Sequence, residues 1–161
     1  MYEDRFSTWK QWSERDLYPR FPGIYIIALS IDDLSNTRFS WRPEIIYVGM
    51  TNAVGGLAGR LRQFDNTIKG RAGHGGADRV RYKYPDYEKL SERLYIATAA
   101  FDCDVRSEKS ADLRTMGEVA KFENECFAHF VELFETLPEF NRKKDSPKYS
   151  LTVGREGHGT D

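Results

Sequence analysis

Tyr25, Tyr47, Arg60 and Glu123 are the side chains of this chain whose types and spacing best suit chemistry on a charged substrate. Glu123 stands out on periodicity alone. At about 100° per residue, Met116, Val119, Phe127, Phe130 and Phe134 fall within about 40° of it, which puts a carboxylate in the middle of an apolar stripe. A carboxylate turned toward a core needs a cation, a hydrogen-bond network or a proton, because burying it ionised and alone costs several kcal/mol or more. A buried salt bridge or a place at the core's margin would satisfy it; so would a hard divalent cation, which prefers oxygen ligands and often takes only one or two protein carboxylates. Tyr25 and Tyr47 belong to two apolar runs and fall on one face if those runs pair antiparallel. Each could serve packing alone, although Gly23 and Gly49 beside them allow close approach of a ligand or another backbone. Arg60 lies on the flank of a helical stripe, either as an exposed charge or with its stem along apolar surface and its guanidinium in a cleft.

The elements that must position these groups are legible as periodic segments. Residues 23–29 and 44–48 read as strands joined by a longish polar loop, and 94–101 as a third strand. Residues 57–69, with Leu57, Leu61, Phe64 and Ile68 at helical spacing, form one helix, and 111–136 form a long second one stopped by Pro138. Residues 5–17, bearing Phe6, Trp9 and Trp12, read as a short packing helix. The glycine-rich, cationic GRAGHGGADR reads as a loop leading into a helical or irregular segment, 77–91. The order β-β-α-(α)-β-α predicts an α+β fold, a small three-stranded, mainly antiparallel sheet flanked by helices. Residues 1–20 are then a helical N-terminal extension, 21–142 the domain proper, and 143–161 a tail with little to bury, expected to be mobile.

With 161 residues the chain suits one domain able to bury its own core. Its formal charge of -1 argues against a general polyanion sponge but conceals asymmetry. Between residues 60 and 83, seven Lys/Arg (Arg60, Arg62, Lys69, Arg71, Arg79, Arg81, Lys83) face two acids, a local +5. Such a segment can meet a phosphate backbone or simply form a solvated surface. Arg142, Lys143 and Lys144 make a second basic cluster. Two cysteines, Cys103 and Cys126, are too few for a disulfide framework or a thiolate zinc site, which points to a reducing, cytoplasmic setting. The charged N-terminal stretch has no continuous apolar run, so no signal peptide or membrane anchor is expected.

In order along the chain, GIY (Gly23 to Tyr25), YVG (Tyr47 to Gly49), LAGRLRQF (Leu57 to Phe64), FENE (Phe122 to Glu125) and LPEFN (Leu137 to Asn141) resemble the GIY-YIG nuclease family, over roughly residues 21–142. The resemblance implies a divalent-metal-dependent endonuclease with Mg²⁺ or Mn²⁺ as cofactor and DNA as partner. It makes Glu123 the metal ligand, Tyr25 and Tyr47 the motif tyrosines, Arg60 the catalytic arginine and Asn141 the supporting asparagine, which could equally be a turn residue after Pro138. Many members carry His or Tyr four residues after the arginine; here that position is Phe64, and His74 is the candidate auxiliary group.

The implied mechanism is phosphodiester hydrolysis, with Glu123 holding the metal against the phosphate, Arg60 gripping its oxygens, Tyr25 deprotonating or orienting the attacking water and Tyr47 orienting water or phosphate. Arg62, Lys69, Arg71, Arg79, Arg81 and Lys83 are the expected nucleic-acid contacts. Since one domain fills the chain, specificity would come from inserted loops, a homodimer or a partner protein, in a restriction, repair or mobile-element role. The competing expectation is an inactive nucleic-acid-binding or interaction module of the same fold.

Overall fold

In the computed structural model, which describes residues 2–144 and 146–149, the centre is an antiparallel sheet. Its strands are β1 (Lys10–Gln11), β2 (Gly23–Leu29), β3 (Ile45–Thr51) and β4 (Leu94–Ala100), in the order β1-β4-β2-β3. The helices are α1 (Gly56–Lys69), α2 (Gly75–Lys83), α3 (Tyr87–Ser91) and α4 (Ser110–Phe134). Strands β2 and β4 are buried along almost their whole length, as expected of sequences apolar on both faces and covered by helices on each.

One face, with Ile24, Ile26, Val48, Ala97 and Ala99, packs on Val119, Phe122, Cys126 and Phe130 of α4 and on the N-terminal aromatics Phe6 and Trp9. The other, with Tyr25, Ile27, Ile46 and Ile96, packs on Leu57, Leu61, Phe64 and Ile68 of α1 and on Ala77 and Val80 of α2. A register shift between Ile27 and Ala28 lets both Ile46 and Tyr47 of β3 join that second cluster.

The sheet has four strands rather than the expected three, because the N-terminal segment is not the helix its aromatic spacing suggested. It forms two short 3-10 turns, Glu3–Arg5 and Trp12–Leu17, with β1 between them pairing Lys10 with Ile96 and Gln11 with Tyr95. Ser7 locks it further, its N–H donating to the Thr98 carbonyl (2.8 Å) and its Oγ accepting from the Thr98 N–H (3.0 Å). Phe6, Trp9, Trp12 and Tyr18 of this segment are buried in the two core clusters. The 77–91 segment resolves into α2 and α3. Most of the tail expected to be mobile lies outside the described residues. Among the described residues no helix is long and apolar enough to cross a membrane.

A buried carboxylate ties the second layer together. Asp65 of α1 accepts hydrogen bonds from Trp12 Nε1 (2.8 Å) and Tyr87 Oη (2.6 Å) and pairs with Arg15 Nη2 (3.0 Å) and Lys69 Nζ (2.8 Å). Burial by itself would raise its pKa; the donors Lys69, Tyr87 and Trp12 and the Arg15 charge outweigh it and hold the carboxyl below the usual range.

Candidate functional site

The four residues proposed for chemistry, with His74 and Asn141, gather around β3, the edge strand beside β2. Antiparallel pairing sets Tyr25 opposite Gly49 and Ile27 opposite Tyr47, so the two tyrosines are diagonal neighbours on one face, ring centroids 6.0 Å apart. Gly49 is required by this arrangement: a Cβ there would fall 2.4 Å from Cζ and Oη of Tyr25.

Tyr25 is 0% exposed, whereas Tyr47 is half-buried. Of the two phenols, Tyr47 is therefore the more open to solvent and Tyr25 is enclosed. Burial lifts the Tyr25 pKa well above 10, with the neighbouring Tyr47 adding to it, and burial raises Tyr47 too. Arg60 opposes both shifts.

His74 is not in a free loop but at the N-cap of α2, buried, its Nδ1 accepting the Ala77 N–H (3.2 Å). Its Nε2 lies 2.7 Å from Tyr25 Oη. Burial, reinforced by the Arg60 and Arg79 charges, pushes its pKa down to about 3, so the imidazole is neutral at ordinary pH. A neutral ring that accepts at Nδ1 carries its proton on Nε2; His74 therefore donates to Tyr25. Phe64 supplies a wall for this imidazole, in edge contact with it at 4.8 Å between centroids.

Arg60 comes from α1, half-buried, hydrogen-bonded to Gln63 Oε1. Gln63 in turn donates to the Gly73 carbonyl (2.8 Å), tying the arginine to the turn that carries His74. That link was not legible from the sequence; Gln63 is simply the residue one helical turn beyond Arg60.

Glu123 approaches from α4. The stripe α4 buries runs through Val119, Phe122, Cys126 and Phe130, so Glu123 lies at its margin, about 50° off its centre, rather than in its middle as expected. Phe122 and Cys126 shift the stripe. The carboxylate is half-buried and, among the described residues, makes no hydrogen bond or ion pair. Burial raises its pKa, partly countered by the Arg60 charge, and its own charge is felt at Tyr47.

Asn141 takes a part other than capping the chain after Pro138. Its Nδ2 donates to the Val48 carbonyl and its Oδ1 accepts the Val48 N–H, both at 2.9 Å, so the side-chain amide pairs with the outer edge of β3 as a strand would. It holds the strand between Tyr47 and Gly49.

The basic residues divide. Lys69 is committed to Asp65, Lys83 to Glu139 (2.5 Å), and Arg81 to the Gly70 carbonyl (3.3 Å) and the Tyr149 ring (3.9 Å). Those commitments weaken the expectation that Lys69, Arg81 and Lys83 contact nucleic acid. Arg62 and Arg71 are exposed, and Arg79 is buried beside the site.

No group of three or more His, Cys, Asp or Glu side chains that could hold a metal is present among the described residues. Compared with known proteins, the chain matches no family model, no curated protein and no solved structure.

Proposed function

We propose that this protein is a metal-dependent endonuclease of the GIY-YIG kind, hydrolysing phosphodiester bonds in DNA. The observation that carries the reading is the meeting, beside one edge strand, of two neighbouring tyrosine rings tilted by 35° with, among the described residues, an arginine that has no carboxylate partner and a glutamate that has no cation partner. Packing alone gives no reason for Glu123 to sit half-buried without a partner, and a divalent cation such as Mg²⁺ or Mn²⁺, completed by water and substrate oxygens, suits a single carboxylate. Such an ion supplies charge stabilisation at the phosphate and the leaving oxygen.

This chain's own residues do the rest. Arg60 grips the scissile phosphate, its planar guanidinium matching two oxygens. Tyr47, the more exposed phenol, orients the attacking water. Tyr25 backs the Tyr47 ring from behind, and His74 holds Tyr25 in place by donating to its hydroxyl. Both phenols have raised pKa values, so they act at neutral pH as positioned hydroxyls until nearby positive charge helps one lose its proton. On this reading His74 stands in for the group that Phe64 cannot be. Free thiols at Cys103 and Cys126 suit a cytoplasmic setting.

The test is incubation of supercoiled plasmid with Mg²⁺, against EDTA and against Glu123→Ala. Metal-dependent nicking that the variant loses is the expected result; equal nicking by both proteins removes the assignment.

A further inference from the structure

Among the described residues, Arg79 is a guanidinium without a counter-charge. It is 9% exposed, its Nε is buried with no acceptor, and among the described residues it makes no hydrogen bond or ion pair. An arginine so placed carries a desolvation cost that is normally offset by a carboxylate or another anion. Its side chain runs back along α2 toward the helix N-terminus, as long helical side chains do. A Cβ added at Gly75 would meet Arg79 Nη1 at 3.7 Å and Lys148 Nζ at 3.3 Å, so two cationic groups border the same glycine.

The N-terminus they border has donors to spare. Of the first N–H groups of α2, that of Ala77 goes to His74 Nδ1 and that of Asp78 to the His74 carbonyl; those of Gly75 and Gly76 have no acceptor among the described residues. Gly76 also brings this end of the helix onto Tyr47, since a Cβ there would lie 2.4 Å from the tyrosine ring. Arg79 is near enough to lower the pKa of both Tyr47 and His74.

We propose that Arg79 and the N–H groups of Gly75 and Gly76 hold a phosphate of the nucleic-acid strand, next along the backbone from the one gripped by Arg60. Helix N-terminal amides and a guanidinium are complementary to a tetrahedral dianion or a phosphodiester. The contact fixes the strand's path across Tyr47 and supplies the charge the buried arginine lacks. It rests on the nuclease reading for the identity of the ligand, though not for the existence of an anion site.

The experiment follows the amide NMR cross-peaks of Gly75 and Gly76 while inorganic phosphate, and separately a short DNA duplex in EDTA, is added to the wild-type protein. Both ligands are expected to move them. Arg79→Met is expected to abolish the shifts, to weaken duplex binding about tenfold, and to reduce the slope of log affinity on log salt by about one. In phosphate-free buffer it should melt no lower than wild type, because it removes an uncompensated charge; Arg79→Lys should fall between the two in affinity. Glycine amides that ignore both ligands, or duplex binding unchanged in Arg79→Met, would overturn the site. A response to phosphate without one to duplex overturns the nucleic-acid assignment. Duplex binding that depends on Arg79 in a protein that never nicks plasmid upholds the site and removes the nuclease reading alone.

Discussion

Glu123 and His74 carry opposite electrostatic burdens, and each can be read out. Burial raises the Glu123 pKa, so the folded state holds its proton more tightly than the unfolded chain does. The stability it contributes is present at low pH and lost as pH rises through the folded value; at neutral pH the ionised carboxylate is a liability. Glu123→Gln should therefore melt higher than wild type at pH 7 without metal, and lose any stabilisation that Mg²⁺ confers on the wild type, as thermal denaturation with and without the ion will reveal. His74 runs the other way. With its pKa at about 3 against roughly 6.5 unfolded, stability is full above about pH 6.5 and falls as pH drops, by at most about 1.4 kcal/mol per pH unit. His74→Asn keeps an N-cap acceptor and discards the titration. Urea unfolding between pH 7 and about 5, where ordinary carboxylates are still ionised, should show a shallower pH slope for the variant. That the two tyrosines share a sheet face was legible from strand periodicity, whereas the place of Glu123 at the margin of its stripe was not, because Phe122 and Cys126 shift the buried face. The protonation order of His74 and Tyr25 was not legible either, since it depends on a backbone N–H from Ala77 finding one ring nitrogen rather than the other.

The way secondary elements are joined follows a similar division. Apolar period recovered β2, β3, β4, α1 and α4, each long enough for its pattern to repeat. It missed β1, which is two residues long and exists only because Ser7 and Lys10 find β4 across some ninety residues of sequence. Asp65 was likewise invisible as a keystone, since its partners Trp12, Arg15 and Tyr87 lie on other elements. Asp65→Ala strands the buried Trp12 Nε1 donor together with the half-buried Arg15 guanidinium and Tyr87 hydroxyl, and should cost about 1–3 kcal/mol in urea unfolding. Lys69→Ala removes the more exposed partner of the same carboxylate and should cost less than about 1 kcal/mol. Asn141→Ala leaves the Val48 N–H and carbonyl unpaired; an expected loss of about 1–3 kcal/mol, together with reduced nicking by a protein that remains folded at the assay temperature, would mark it as a support for β3.

For the molecule as a whole, charge is unevenly assigned rather than abundant. A net -1 coexists with a +5 segment, but the fold spends Lys69 and Lys83 internally and keeps Arg60 and Arg79 near the tyrosines. Two cations thus lie beside one tyrosine pair. On the nuclease reading proposed above, one such centre would cut one strand per encounter, so on supercoiled plasmid an open-circular species should accumulate before linear product appears on an agarose gel. Linear product formed at once would instead indicate two centres acting in concert.

How two copies could be brought together is limited by the amide of Asn141. By occupying the Val48 N–H and carbonyl, it blocks the position where a neighbour's backbone would hydrogen bond to prolong the sheet through β3. Association of two copies by strand pairing along this edge is thereby disfavoured, and a peptide designed to augment this rim would first have to evict the asparagine.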